Sequence, residues 1–157
     1  MIVFKCFIHL GRSHLPIAEE IIEEKHPETA TQSHNLKRTI LLVDDEKSIR
    51  SAAEYFLTED GHGVECVADG KQALNLFKTN PAKFDLIVTD LSMPKMSGSD
   101  FIKEVRLLKS EVPIILSSGE LGKKDKEELK NIGITAFIQK PWTPEELIGQ
   151  VRNIDNG

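Results

Sequence analysis

The stretch TILLVDDE, residues 39–46, runs five strand-forming residues straight into three carboxylates. A continuous apolar run rich in β-branched side chains suits a strand buried on both faces; a strand with one wet face would alternate. Buried strands of this kind belong to parallel sheets sandwiched between helices, and the residues downstream repeat the theme. Ile49, Ala53, Phe56 and Leu57 share one helical face, with Gly61 placed to end the helix. GVECVA (63–68) reads as a second strand, and Ala73, Leu74 and Phe77 mark a shorter helix starting near Asp69. FDLIVT (84–89) is a third strand that leads into Asp90, followed by a loop with Pro94 and Gly98. Phe101, Ile102, Val105 and Leu108 give a helix face, and VPIIL (112–116) a fourth strand. Residues 119–131 are highly charged, with Leu121 and Leu129 as the apolar anchors of a helix, before ITAFI (134–138), the fifth strand. The last helix opens on Thr143-Pro144-Glu145-Glu146, which supplies a capping hydroxyl, a first-turn proline and a capping-box glutamate. Such a cap is worth ~1 kcal/mol; Leu147, Ile148, Val151 and Ile154 form the apolar face behind it.

Five strands, each followed by a helical pattern, predict an α/β fold: a doubly wound parallel sheet with helices on both faces. Its ligand crevice lies at the carboxyl ends of the strands. Strand one exits into Asp44, Asp45 and Glu46, strand three into Asp90, strand four into Ser117 and Ser118, and strand five into Gln139, Lys140 and Pro141. Taken singly, these residues are ordinary: an aspartate there is usually a helix cap, a serine a turn residue, a lysine before proline a solvated charge. Their joint placement at four strand ends is what points to chemistry. Two carboxylates ~4 Å apart repel by about 4 kcal/mol at an effective dielectric of 20, so a proton or a cation is expected among them. An all-oxygen, carboxylate-rich site suits Mg²⁺, with Mn²⁺ as the alternative. A lysine and a hydroxyl beside that cation make sense if the site receives an anion. Together they describe phosphoryl transfer onto an aspartate nucleophile.

Composition sets the outer limits. The 157 residues are 39% hydrophobic and 29% charged, enough for one packed core. No run of 18 apolar residues exists, so no transmembrane helix is expected and a cytoplasmic location is. The net charge of −5 argues against nucleic acid as a partner. Cys6 and Cys66 offer no disulfide or metal framework. Residues 1–38 are balanced, with Lys5, Arg12, Lys25, Lys37 and Arg38 against Glu19, Glu20, Glu23, Glu24 and Glu28, so the whole net charge belongs to residues 39–157. His9, His14, His26 and His34 sit there at spacings that match no usual metal pattern. This piece reads as a poorly ordered extension or linker, and residues 39–157 as the folded domain.

ILLVDDE (40–46), LIVTDLSMPKMSG (86–98), PIILSSG (113–119) and FIQKPWTPEEL (137–147) together resemble the response-regulator receiver domain of two-component signalling. Ser118 follows Asp90 by 28 residues and Lys140 follows it by 50, the family's usual separations. The resemblance implies a flavodoxin-like sheet of strand order 2-1-3-4-5. It also implies that Asp90 accepts a phosphoryl group from a phosphohistidine on a sensor kinase or a histidine phosphotransfer protein. Asp45 would then hold Mg²⁺ directly, Asp44 through water, with Asp90 and the backbone carbonyl of Ser92 as further ligands. Lys140 would pair with the phosphoryl group across a cis bond to Pro141, and Ser118, not Ser117, would supply the hydroxyl that moves. Phe137 would be the aromatic that turns inward as Ser118 moves. No enzymatic activity is implied beyond Mg²⁺-dependent self-phosphorylation and autodephosphorylation.

The patterned region reaches the chain end, so output is expected through protein contacts, or the chain is one piece of something larger; a homodimer is left open. LPIAEEIIEE and the polar residues after it also resemble the linker ahead of a C-terminal receiver in hybrid histidine kinases. Three rivals share parts of the pattern. A metal-dependent aspartyl phosphatase should carry a second aspartate two residues after the nucleophile, where this chain has Ser92. A flavodoxin-like cofactor binder needs a phosphate-cradling first loop, and Asp44-Asp45-Glu46 would repel a phosphate. A receiver-fold module that signals without phosphorylation stays as the alternative, with the intact site arguing against it.

Overall fold

The computed structural model describes residues 37–109 and 111–154. All but the last two residues of the expected N-terminal extension lie outside them. Five strands alternate with five helices: β1 (Thr39–Val43), α1 (Lys47–Glu59), β2 (Gly63–Val67), α2 (Gly70–Thr79), β3 (Leu86–Asp90), α3 (Gly98–Leu108), β4 (Ile114–Ser118), α4 (Lys123–Asn131), β5 (Ala136–Gln139) and α5 (Pro144–Asn153). A short 3₁₀ turn at Pro81–Lys83 precedes β3. All strand pairings are parallel, as the residue pattern predicts, and the order is β2-β1-β3-β4-β5, as the resemblance implies.

Strand alternation sorts the core into two layers. On one face Leu41, Val43, Ile87, Ile114 and Leu116 meet Ala73, Leu74 and Phe77 of α2, Phe101, Ile102 and Val105 of α3, and Leu129 of α4. On the other, Ile40, Leu42, Leu86, Val88, Ile115 and Ile138 meet Ala53 and Leu57 of α1 and Leu147 and Val151 of α5. The three central strands are therefore buried at nearly every position, whereas edge strand β2 is only half-buried. Each fully buried Leu or Ile contributes about 1.5–3 kcal/mol. Phe77 and Phe84 stack at 6.0 Å where α2 returns toward β3.

The local signals mostly hold. Asp69 caps α2 by accepting the Gln72 N–H, and Gly61 has a left-handed φ of 95° just past α1, a conformation glycine adopts without penalty. The Thr143–Glu146 capping box forms in both directions. Several boundaries differ from expectation: the fifth strand runs Ala136–Gln139 where the apolar run predicts 134–138, the second ends at Val67 where the pattern predicts Ala68, and α4 begins at Lys123, after Leu121. The third and fourth strands begin two residues later than their apolar runs and end one and two residues later, so Asp90, Ser117 and Ser118 lie within the sheet. The ladder is set by backbone pairing, which continues through polar residues as long as a neighbour strand is present. Leu108 is 44% exposed and does not belong to the buried face of α3, because α3 ends there.

Candidate functional site

Register builds the site. Val43 pairs with Thr89 and Asp90 pairs with Ser117, so the next step along β1 brings Asp44 beside Asp90 at the carboxyl ends of the central strands. Asp44 is buried, and its two oxygens have different duties. Oδ1 accepts the Glu46 N–H at 2.9 Å, which turns the chain into α1, and Oδ2 takes the Lys140 ammonium at 2.8 Å. The same ammonium reaches Asp90 Oδ1 at 3.1 Å. Lys140 arrives from β5 by its backbone N–H, which donates to the Ser118 carbonyl at 2.7 Å, and by a cis bond to Pro141. Its side chain is only 20% exposed, so it is no ordinary solvated lysine.

Electrostatics follow from burial and neighbours. Burial pushes the Asp90 carboxyl above its usual range against the pull of Lys140, and Asp44 adds to the rise. For Lys140 burial opposes the charged form, but the carboxylates of Asp44 and Asp90 outweigh it and hold the ammonium above the ordinary lysine value. Asp44, Asp45 and Asp90 each present an oxygen within 4.8 Å of the others, with Asp45 exposed between two buried partners. One ammonium contacts two of these three carboxylates, Asp44 and Asp90, and the Arg50 guanidinium donates to the Asp44 carbonyl at 2.6 Å, so negative charge remains in excess. A hard divalent cation fits that donor set: oxygens only, carboxylate-rich, and open to water on the Asp45 side.

The remaining expected residues divide between the faces of the sheet. Ser118 has the strand parity of Leu116, whose register partner is Phe137, so Ser118 and Phe137 lie on the same face. Phe137 is half-buried and lines a cavity of about 80 Å³ with Gly119, Leu121 and Lys126. Ser117 points the other way, toward α1 and α5, where its hydroxyl accepts the indole N–H of Trp142 at 3.2 Å. Ser92 is exposed in the loop after β3. That loop is pinned from below. Lys95, at a left-handed φ of 67°, pairs with Asp69 at 2.9 Å, and this contact keeps the Asp69 carboxyl below its usual range.

Arg50, Trp142 and the Asp69–Lys95 pair are the site neighbours that sequence reading misses. Arg50 has a local signal, six residues after Asp44 on the first turns of α1, whereas the other contacts span 25 and 26 residues and leave none. Cys66 is no nucleophile: burial and Glu54 push its thiol up to about 12. Among the described residues, no helix is long and apolar enough to cross a membrane.

Comparison with known proteins shows which family the chain resembles. A transcriptional regulatory protein of Bacillus subtilis, YcbL, is 33% identical over 112 residues, covering 71% of this chain and 48% of that protein. The probable transcriptional regulator ycf27 of Porphyridium aerugineum is 37% identical over 118 residues, 75% of this chain and 48% of its own. The chain thus spans about half the length of the curated relatives it matches. Among solved structures, the Vibrio cholerae chemotaxis protein CheY4 superposes with a TM-score of 0.71 at 35% identity, covering 75% of this chain and 98% of that one. The Francisella response regulator 1452 receiver domain gives a TM-score of 0.70 at 30% identity, covering 76% and 98%. Residues 40–152 match the family described as the response regulator receiver domain. An acidic cluster at the ends of β1 and β3, a lysine bridging it from β5, and this sequence match together establish that the chain belongs to the response-regulator receiver domain family of two-component signalling.

Proposed function

We propose that residues 39–157 form a phospho-accepting receiver, and that residues 1–38 act as a linker. The observation that carries the reading is the Lys140 ammonium held between Asp44 and Asp90. It gives Asp90 a neighbour that neutralises charge as a phosphoryl group arrives. An Asp90 carboxylate oxygen attacks the phosphorus of a phosphohistidine on a sensor kinase or phosphotransfer protein. A P–O bond forms, the P–N bond breaks, and the electron pair leaves on the imidazole nitrogen, which takes up a proton. Lys140 turns from Asp90 toward the phosphoryl oxygens and retains Asp44 as its anchor.

Asp44, Asp45, Asp90 and the Ser92 carbonyl are the groups that would hold Mg²⁺ or Mn²⁺. When bound, the ion supplies charge neutralisation to the carboxylates and the incoming phosphoryl oxygens. Ser118 donates its hydroxyl to a phosphoryl oxygen, and Phe137 turns toward the space this vacates. The surface of β4, β5 and α4 shifts with it, a local charge event read out as a change of packing. Output passes to a protein partner in the cytoplasm, without nucleic-acid contact, membrane insertion or turnover of a substrate.

Incubation with acetyl phosphate and Mg²⁺, followed by intact mass, tests this. One phosphoryl group should be gained, lost with EDTA and absent in Asp90→Asn. A folded, Mg²⁺-binding protein that gains nothing would overturn the reading in favour of a receiver fold that signals by constitutive contact.

A further inference from the structure

Trp142 is the only tryptophan in the chain and follows Lys140 by two residues. It is half-buried against the layer that α1 and α5 make with the sheet. An indole N–H withdrawn from water needs an acceptor, and leaving it without one costs more than the bond itself contributes. The acceptor here is Ser117 Oγ at 3.2 Å, on a residue that is 4% exposed and sits opposite Asp90 in the β3–β4 register. The neighbouring Ser118 carbonyl takes the Lys140 N–H at 2.7 Å. The turn Lys140–Pro141–Trp142 is therefore fastened to the end of β4 twice, at its first residue by backbone and at its last by side chain.

Such fastening matters because a lysine stem is flexible and its ammonium holds a position only as well as its backbone does. The Lys140 ammonium lies within hydrogen-bond distance of both Asp44 and Asp90 and has to be in that place when the phosphoryl group arrives. Trp142 and Ser117 also line, with Asp44, Asp90, Leu42 and Leu147, a void of about 10 Å³ under the acidic cluster. That is at the threshold for a single water, so the indole closes the floor of the site.

We propose that the Ser117–Trp142 hydrogen bond is a latch that positions Lys140 for phosphoryl transfer to Asp90. Ser117 and Trp142 are positioning residues that act through the lysine. The proposal rests on the reading of Asp90 as phosphoryl acceptor.

The test follows acetyl phosphate labelling of the full chain at saturating donor and Mg²⁺, for Ser117→Ala, Ser117→Thr, Trp142→Phe and the Ser117→Ala/Trp142→Phe double variant. Ser117→Ala is then repeated in a Lys140→Ala background. Loss of the latch should slow labelling roughly fivefold, the scale of one neutral hydrogen bond. Ser117→Thr keeps the hydroxyl and should restore most of the rate. Trp142→Phe keeps the ring and loses the N–H, so it should match Ser117→Ala, and the double variant should be no slower than either. In the Lys140→Ala background, Ser117→Ala should have no further effect. Urea midpoints confirm that each variant is folded. The latch is overturned if wild type labels and Ser117→Ala labels equally fast, or if Ser117→Ala slows both backgrounds alike, the mark of general destabilisation. A wild-type chain that does not label at all would instead sink the acceptor reading, and the latch with it.

Discussion

Gly98 opens α3, and the chain folds back so tightly there that its N–H reaches the Leu91 carbonyl at 2.9 Å. A Cβ at this position would lie 2.1 Å from the Asp90 carbonyl oxygen, 2.9 Å from Leu91 Cα and 3.0 Å from the Asp90 carbonyl carbon. Non-bonded carbon contacts settle at about 3.5–4.0 Å, and all three obstacles are backbone, so none can rotate aside. Gly98→Ala must push α3 away from the end of β3, and overpacking of this kind costs about 1–3 kcal/mol or more. Alanine recovers about 0.5–1 kcal/mol at most through its helix preference. A net loss of about 2 kcal/mol is expected, roughly 10 °C in the thermal midpoint for a domain of this size. Gly149 in α5 is the matched control, because a Cβ there meets nothing within 4 Å. Gly149→Ala should raise stability by about 0.5–1 kcal/mol. Urea unfolding followed by Trp142 fluorescence measures both, and acetyl phosphate labelling of Gly98→Ala should fall as well, since the displaced carbonyl belongs to Asp90. If the two alanine variants shift stability in the same direction, the close-approach argument is wrong.

Three further outcomes are expected. Arg106 donates through Nε to the Gly133 carbonyl at 3.1 Å and through Nη1 to that of Val112 at 2.7 Å, joining α3 to the loops before β4 and β5; Arg106→Met should cost about 1.5–3 kcal/mol in urea unfolding, and a wild-type midpoint would contradict it. Thr143→Ala removes the acceptor of the Glu146 N–H and should lower stability by ~1 kcal/mol, with Thr143→Ser recovering most of it. His62 is buried; its Nδ1 accepts the Arg38 N–H at 3.2 Å, and Nε2 lies 3.2 Å from Asp60 Oδ2. Burial holds its pKa below the ordinary 6.5, against the pull of Asp60 and with Arg38 and Arg152 assisting. The folded state therefore binds fewer protons than the unfolded one, so stability is full above pH 6.5 and declines as pH falls through and below it. His62→Asn should flatten that decline between pH 7 and 5.5 in thermal midpoints, and an unchanged slope would refute the assignment.

Most of the fold could be read from the chain because its signals are local or periodic. TILLV marked β1 to the residue, Asp69 and Thr143 marked helix starts through side chains that reach their own backbone, and Gly61 marked the turn after α1. Apolar patterning also sorted helices from strands, since periods of 3.6 and 2 are intrinsic to those backbones. It misplaced the third, fourth and fifth strands by one or two residues because hydrophobic runs report burial, whereas a strand ends where its partner does. Asp90, Ser117 and Ser118 stay hydrogen-bonded in the sheet despite their polarity.

The carboxylates, the hydroxyls and the lysine at the strand ends were likewise nameable in advance, because a parallel sheet gathers its strand ends on one side. Which of them touch was decided only by tertiary structure. Register set Asp44 beside Asp90, and Lys140 spans both from a strand 96 residues after Asp44. Strand parity sent Ser118 toward Phe137 and Ser117 toward Trp142, which turned the serine that had looked like a plain neighbour into the acceptor for a buried indole. Such contacts depend on side-chain direction and on packing between elements distant in sequence. A linear pattern carries neither; both appear only when the sheet is assembled and its ends are brought to within hydrogen-bond distance.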